Sequence, residues 1–181
     1  MPMTLKDVET LKKNLWPTDD ARPVNLYGVL DCAREPAVYD VVNRCYLQKE
    51  CLFAGDLDAA VVRVAPHIVE LSNRDSATET LLLKGWDGGW GIVVQTNSSF
   101  KNLRRHLRTF LRVRDHRGRI VLFRYYDPTV LSAYLPTCTS NELRQVFGSA
   151  IARIFIPSAG GGYTEYSLSE GKLQIDHLLP N

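Results

Sequence analysis

Apolar positions recur along this chain at two spacings, and the switching between them predicts an irregular series of helices and strands. Leu5, Val8, Leu11 and Leu15 share one helical face, with Thr4 placed to cap it. Pro17 and the polar stretch Thr18–Pro23 end that helix. Asn25–Leu30 reads as a buried strand running into Asp31. Pro36 suits the first turn of a helix that continues through Val38, Val41, Val42 and Cys45. Leu52-Phe53-Ala54-Gly55 breaks it, and Leu57–Val64 forms a short second helix. Pro66–Leu71 is strand-like, and Thr78–Lys84 is helical until Gly85 and Gly88-Gly89 stop it. Trp90–Thr96 contains the continuous run Ile92-Val93-Val94, the mark of a central strand covered on both faces.

The clearest helix follows Ser98 and Ser99, either of which can cap it. Phe100, Leu103, Leu107, Phe110 and Leu111 obey the i, i+3, i+4, i+7 rule. A hairpin comes next: Arg112–Arg114, a turn at His116-Arg117-Gly118, and a long apolar strand Ile120–Tyr126. Asp127-Pro128 opens a short helix through Val130, Leu131 and Tyr134, which Pro136 stops, and Asp127 is placed to cap it. Ser140–Phe147 is a last helix, with Ser140 and Asn141 as cap candidates. Beyond Gly148, Ile151–Ile156, Tyr163–Leu168 and Leu173–Asp176 are strands, and Gly160-Gly161-Gly162 is a flexible connection. The order predicts mixed α/β layers with flanking helices, not a doubly wound parallel sheet. We divide the chain into a main α/β domain, 1–148, and a small C-terminal β-rich extension, 149–181.

Composition adds limits. A chain of 181 residues buries roughly 70% of its unfolded surface, enough for a core without disulfides or metal. With 45% hydrophobic and 23% charged residues it is not a disordered protein. No apolar run approaches the roughly 20 residues a membrane span requires, and Met1–Lys13 lacks the basic start and apolar middle of a signal peptide. The expected setting is cytoplasmic, with no membrane partner. Cys32, Cys45, Cys51 and Cys138 make no CxxC pair, so reduced, mostly buried thiols are expected.

Charge changes the picture more. Nine of the 22 Lys and Arg fall between Lys101 and Arg124, against one of the 20 acids, Asp115. That segment carries a formal +8 and the remainder −6, within a net +2. One basic element on an otherwise acidic protein points to an acidic partner surface. Clustered arginine favours carboxylate or phosphate recognition. Lys101, Arg104, Arg105, Arg108, Arg112 and Arg117 are therefore the candidate partner-binding residues.

Motifs for catalysis are missing from the sequence. His67, His106, His116 and His177 are scattered without HxH or HExxH spacing, so no metal site and no cofactor are expected. There is no GxSxG elbow, and Gly160–Gly162 precedes Tyr163-Thr164 where a phosphate loop needs Lys and Ser or Thr. Cys32 follows a strand end, a place where nucleophiles are found, but it has no recognisable general base. It is expected to be a small buried residue, and no catalytic residue is assigned. Asp31, Arg34, Trp86, Trp90, Asp127 and Pro128 are expected to be structural, with Asp31 and Arg34 as a local ion pair or cap.

Several segments form an ordered set. They are Leu30-Asp31-Cys32-Ala33-Arg34, Leu52-Phe53-Ala54-Gly55, Ala65-Pro66-His67-Ile68-Val69-Glu70-Leu71, and Gly85-Trp86 with Trp90-Gly91-Ile92. Leu103-Arg104-Arg105-His106-Leu107-Arg108 follows, then Leu122-Phe123-Arg124-Tyr125-Tyr126-Asp127-Pro128 with Val130-Leu131, Leu135-Pro136-Thr137 and Phe147-Gly148. In that order the sequence resembles the bacterial type VI secretion adaptor family, domain of unknown function 4123. The resemblance runs from about Asn25 to Gly148. It implies a non-enzymatic chaperone that binds an effector toxin and helps load it onto the VgrG spike protein. It also implies a C-terminal lobe that engages cargo, here reduced to the short extension. The competing readings are a nucleic-acid-binding module using residues 101–124 and, lowest, a small hydrolase with an unrecognised site.

Overall fold

A computed structural model describes residues 3–17, 25–158 and 162–179. The stretch Thr18–Pro23, read above as a polar break, lies outside these residues, as do Gly160 and Gly161. Nine strands are described: β1 (Asn25–Asp31), β2 (Lys49–Cys51), β3 (Pro66–Leu71), β4 (Gly91–Thr96), β5 (Arg112–Arg114), β6 (Ile120–Leu122), β7 (Arg153–Pro157), β8 (Tyr163–Ser169) and β9 (Lys172–Leu178). Seven of them form one sheet in the order β2-β3-β1-β4-β7-β8-β9, and every pairing in it is antiparallel. The C-terminal strands β7–β9 are thus part of the main sheet. β5 and β6 form a separate two-stranded hairpin.

Helices cover both faces of the sheet, which explains why its strands read as continuous apolar runs. Successive strand residues point to opposite faces. Ile92 and Val94 of β4 join one core with Tyr27, Val29 and Ile154, while Val93 joins the other with Leu26, Leu30 and Phe155. The first core is closed by α6 (Phe100–Thr109), α7 (Pro128–Tyr134) and α8 (Ser140–Phe147). The second is closed by α1 (Leu5–Leu15), α2 (Pro36–Arg44) and the segment Ser76–Gly88. That segment is α4 (Ser76–Thr80), a π-helical turn at Leu81–Gly85 and α5 (Trp86–Gly88). α3 (Ala59–Val64) contributes no buried residue to either core.

Local chemistry sets the helix ends. Thr4 and Asp7 form a reciprocal capping box on α1, and Thr139 and Glu142 form another on α8. The α8 cap is therefore Thr139, one position before the expected Ser140 or Asn141. Ser99 caps α6 through Asn102 N–H, and Asp127 caps α7 through Thr129 N–H with Pro128 buried in the first turn. The expected strand Ile120–Tyr126 is cut short. Pairing stops at Leu122 and the chain turns through Tyr125 and Tyr126, whose rings enter the first core. Ile120, Val121 and Leu122 stay exposed. The three-residue strand β2, which pairs Cys51 with His67 of β3, has no counterpart in the sequence reading.

The glycine and tryptophan cluster at residues 85–91 closes the end of the second core. Trp86 and Trp90 are both 3% exposed. Trp86 Nε1 donates to Gly162 O at 2.8 Å, and Trp90 Nε1 donates to the Glu35 carboxylate. Gly85 and Gly88 leave room for the Trp90 ring, since a Cβ at either would sit within 3 Å of it. At Gly91 a Cβ would lie 2.1 Å from Val29 O, so the approach of β4 to β1 requires glycine.

Trp90→Ala removes a fully packed ring and should cost about 3–5 kcal/mol. Chemical denaturation measures this, and an unchanged midpoint would show that the ring does not close the core. Gly91→Ala pushes a methyl into the backbone of the neighbouring strand and should cost about 1–3 kcal/mol. A melting temperature equal to wild type would mean that β1 and β4 tolerate separation at this point.

Candidate partner-binding surface

The amphipathic pattern of α6 places its cations. Phe100, Leu103 and Leu107 are buried against the sheet, Lys101 and Arg105 are exposed, and Arg104 and Arg108 lie half-buried between. Tyr125 donates its hydroxyl to Leu107 O at 3.0 Å, and His106 Nε2 lies 2.7 Å from Val146 O, so this helix is fixed to its neighbours. The hairpin continues from the end of the helix. At its turn, Asp115 Oδ1 accepts from Arg117 N and Arg119 N at 2.9 Å each, with Gly118 at φ 75°.

Three of the nine cations are neutralised by ion pairs. Arg104 Nε lies 2.7 Å from Glu50 Oε2, a charge contact whose N–H is not aligned as a hydrogen bond. Arg119 pairs with Asp115 at 2.8 Å. Arg124 pairs with Asp31 and lies 3.6 Å from Asp127. Among the described residues, Lys101, Arg105, Arg108, Arg112, Arg114 and Arg117 make no ion pair. Arg114 was not singled out in the sequence. It donates only to Gly118 O within the hairpin, at 2.9 Å.

Beside these arginines runs a groove of about 750 Å³. It is lined by Leu52–Ala54 and Leu57 of the loop after β2, Val61 of α3, Leu111, and Ile120–Leu122 of the hairpin, with Arg108 and Arg112 among them. The sequence does not show it, because Ile120–Leu122 read there only as the start of one long apolar strand. The signal was present nonetheless, as an apolar triplet directly opposite Arg112–Arg114 in the hairpin register.

Asp31 and Arg34, expected as a local ion pair or cap, find different charged and polar partners. Asp31, 1% exposed, accepts from Ala33 N at 3.1 Å and takes Arg124 as its counter-ion. Arg34 does not pair with it. Its guanidinium reaches Gly88, donating Nε–H to the carbonyl at 2.7 Å, because the turn after β1 points the side chain toward the tryptophan loop.

Cys32 and His67, which the sequence could not relate, are brought together by the β1–β3 pairing. Cys32 Sγ lies 3.5 Å from His67 Nδ1, which also contacts Ala65 O at 2.9 Å. Burial pushes the Cys32 thiol up to about 12 and lowers His67, so both are neutral near pH 7. A thiol in that state is a poor nucleophile. All four cysteines are free. Among the described residues no group of three His, Cys, Asp or Glu could hold a metal ion, and no helix is long and apolar enough to cross a membrane.

No curated protein and no solved structure gives a match to the chain. One family does: Domain of unknown function (DUF4123), matched over residues 26–145, from β1 through most of α8. That span holds the Asp31–Arg124 pair, the tryptophan loop, the basic helix and the hairpin, and as it covers well over half of the sequence, the chain belongs to the DUF4123 family.

Proposed function

We propose that this protein is a non-enzymatic adaptor that holds a type VI secretion effector and helps load it onto the VgrG spike in the cytoplasm. The observation that carries the reading is an open groove with an apolar lining on which Arg108 and Arg112 lie, in a basic segment where six cations have no ion-pair partner among the described residues. Exposed apolar side chains beside unneutralised charge fit a protein partner better than nucleic acid, which asks for exposed aromatics between the cations. The resemblance to the secretion adaptor family names the partners. No cofactor is required by this role.

The test is capture of a type VI effector and a VgrG spike protein from a bacterium that encodes this chain. Single exposed charge pairs contribute little, so three are reversed together. Arg105→Glu, Arg108→Glu and Arg112→Glu in one chain should lower partner affinity at least tenfold and slow association, since like charges would then meet. Arg104 is spared because reversal would set it against Glu50. Binding by the wild type should weaken as salt rises, over a Debye length of about 8 Å at physiological ionic strength. A folded triple variant with full affinity for both proteins would remove the basic face from the mechanism. Wild type that shifts DNA or RNA and captures neither protein would replace the adaptor with a nucleic-acid-binding module.

The chemistry of Cys32 sets a further expectation. Cys32→Ser should leave partner capture unchanged, and purified protein should not turn over a generic ester or peptide substrate. Turnover abolished by Cys32→Ser would restore an enzyme reading.

A further inference from the structure

The groove beside the hairpin has a chemistry that selects its occupant. Residues directly opposed in an antiparallel pair share a face, and Arg112 is opposite Leu122 while Arg114 is opposite Ile120. One face of the hairpin therefore carries an apolar column, Ile120 and Leu122, beside a basic column, Arg112 and Arg114. Ile120 is 62% exposed and Leu122 49%, which is unusual for aliphatic side chains on a folded strand. In the same groove, Val61 is 40% exposed on α3, a helix that buries nothing of its own. Exposed apolar side chains of the hairpin and of α3 thus line one open groove.

From this geometry we infer that the groove receives an amphipathic helix of the partner protein, its apolar stripe against Leu122, Ile120 and Val61 and its flanking carboxylates against Arg108 and Arg112. The helix, not an extended segment, follows from the lining. It presents side chains, so an extended chain laid along it would leave its own N–H and C=O groups unpaired in apolar surroundings. A helix brings those groups already bonded. The size agrees. A helix about 10 Å across with its side chains rises 1.5 Å per residue, so about 750 Å³ accommodates about six residues, close to two turns. Acidic flanks follow from charge, since Arg108 and Arg112 line the groove and neither has a counter-ion among the described residues.

The inference rests on the adaptor reading for the nature of the partner and adds where it docks and in what form. The test uses the full chain, the same effector and spike proteins, and fluorescent peptides of about 20 residues tiling whichever of them is captured. One peptide with an apolar stripe and acidic flanks should bind, gain helical circular dichroism on binding, and lose at least tenfold in affinity to the Ile120→Ser, Leu122→Ser double variant. These side chains are exposed, so the variant should melt as wild type does. Arg112→Glu should weaken the same peptide and reduce its salt dependence. Full capture by the groove variants would overturn the groove assignment and leave the adaptor reading standing. A bound peptide that gains no helicity would overturn the helical form. A wild-type dimer that the double variant converts to monomer would show that a second copy covers the face, again overturning the inference. If wild type captures neither protein, the adaptor reading and this inference fall together.

Discussion

Asp31 is a carboxylate with 1% of its surface exposed at the end of a central strand, and a buried charge must be compensated where it sits. Arg124 supplies the compensation from 93 residues away. The pair fixes the point where the chain leaves the hairpin, and from there Tyr125 and Tyr126 turn into the core and Asp127 starts α7. Removing one partner of a fully buried pair costs about 3–5 kcal/mol, and the exposed side of Arg124 places this pair below that range. Its larger effect is geometric, because it ties the exit of the hairpin to the end of β1.

Patterns carried by a single element were legible in the sequence. Pro66–Leu71 has the expected bounds because Pro66 starts it and its apolar run is continuous. The helix after Ser99 was legible because its stripe and cap agree. Elements whose meaning depends on distant residues were not. Ile120–Tyr126 is one apolar run, but its first three residues face solvent and its aromatic end is buried, a division made by the Arg124 anchor. β2 has three residues, too few for a period, and exists through its pairing with β3. For the same reason the surface was only half visible. Nine cations could be counted, but which three would be neutralised depends on Glu50 and Asp31 as well as Asp115 next door.

The proposed adaptor role has a physical economy that matches this arrangement. Association that is steered by charge and then held by apolar contact separates the speed of encounter from the lifetime of the complex. In the proposed role the arginines on α6 and β5 would serve the first, and the apolar hairpin face the second. Neither task needs a polarised nucleophile, and the one thiol–imidazole contact is kept neutral by burial.

The sheet separates the molecule into two compartments that share backbone but few side chains. The tryptophan loop, α1 and α2 lie on one side, while α6, α7, α8 and the hairpin lie on the other. Perturbations at distant sites with no common neighbours combine additively. On the proposed adaptor reading, the side that carries α6 is therefore free to drift toward a new client while the opposite compartment keeps the fold intact, so recognition can diversify without rebuilding the frame.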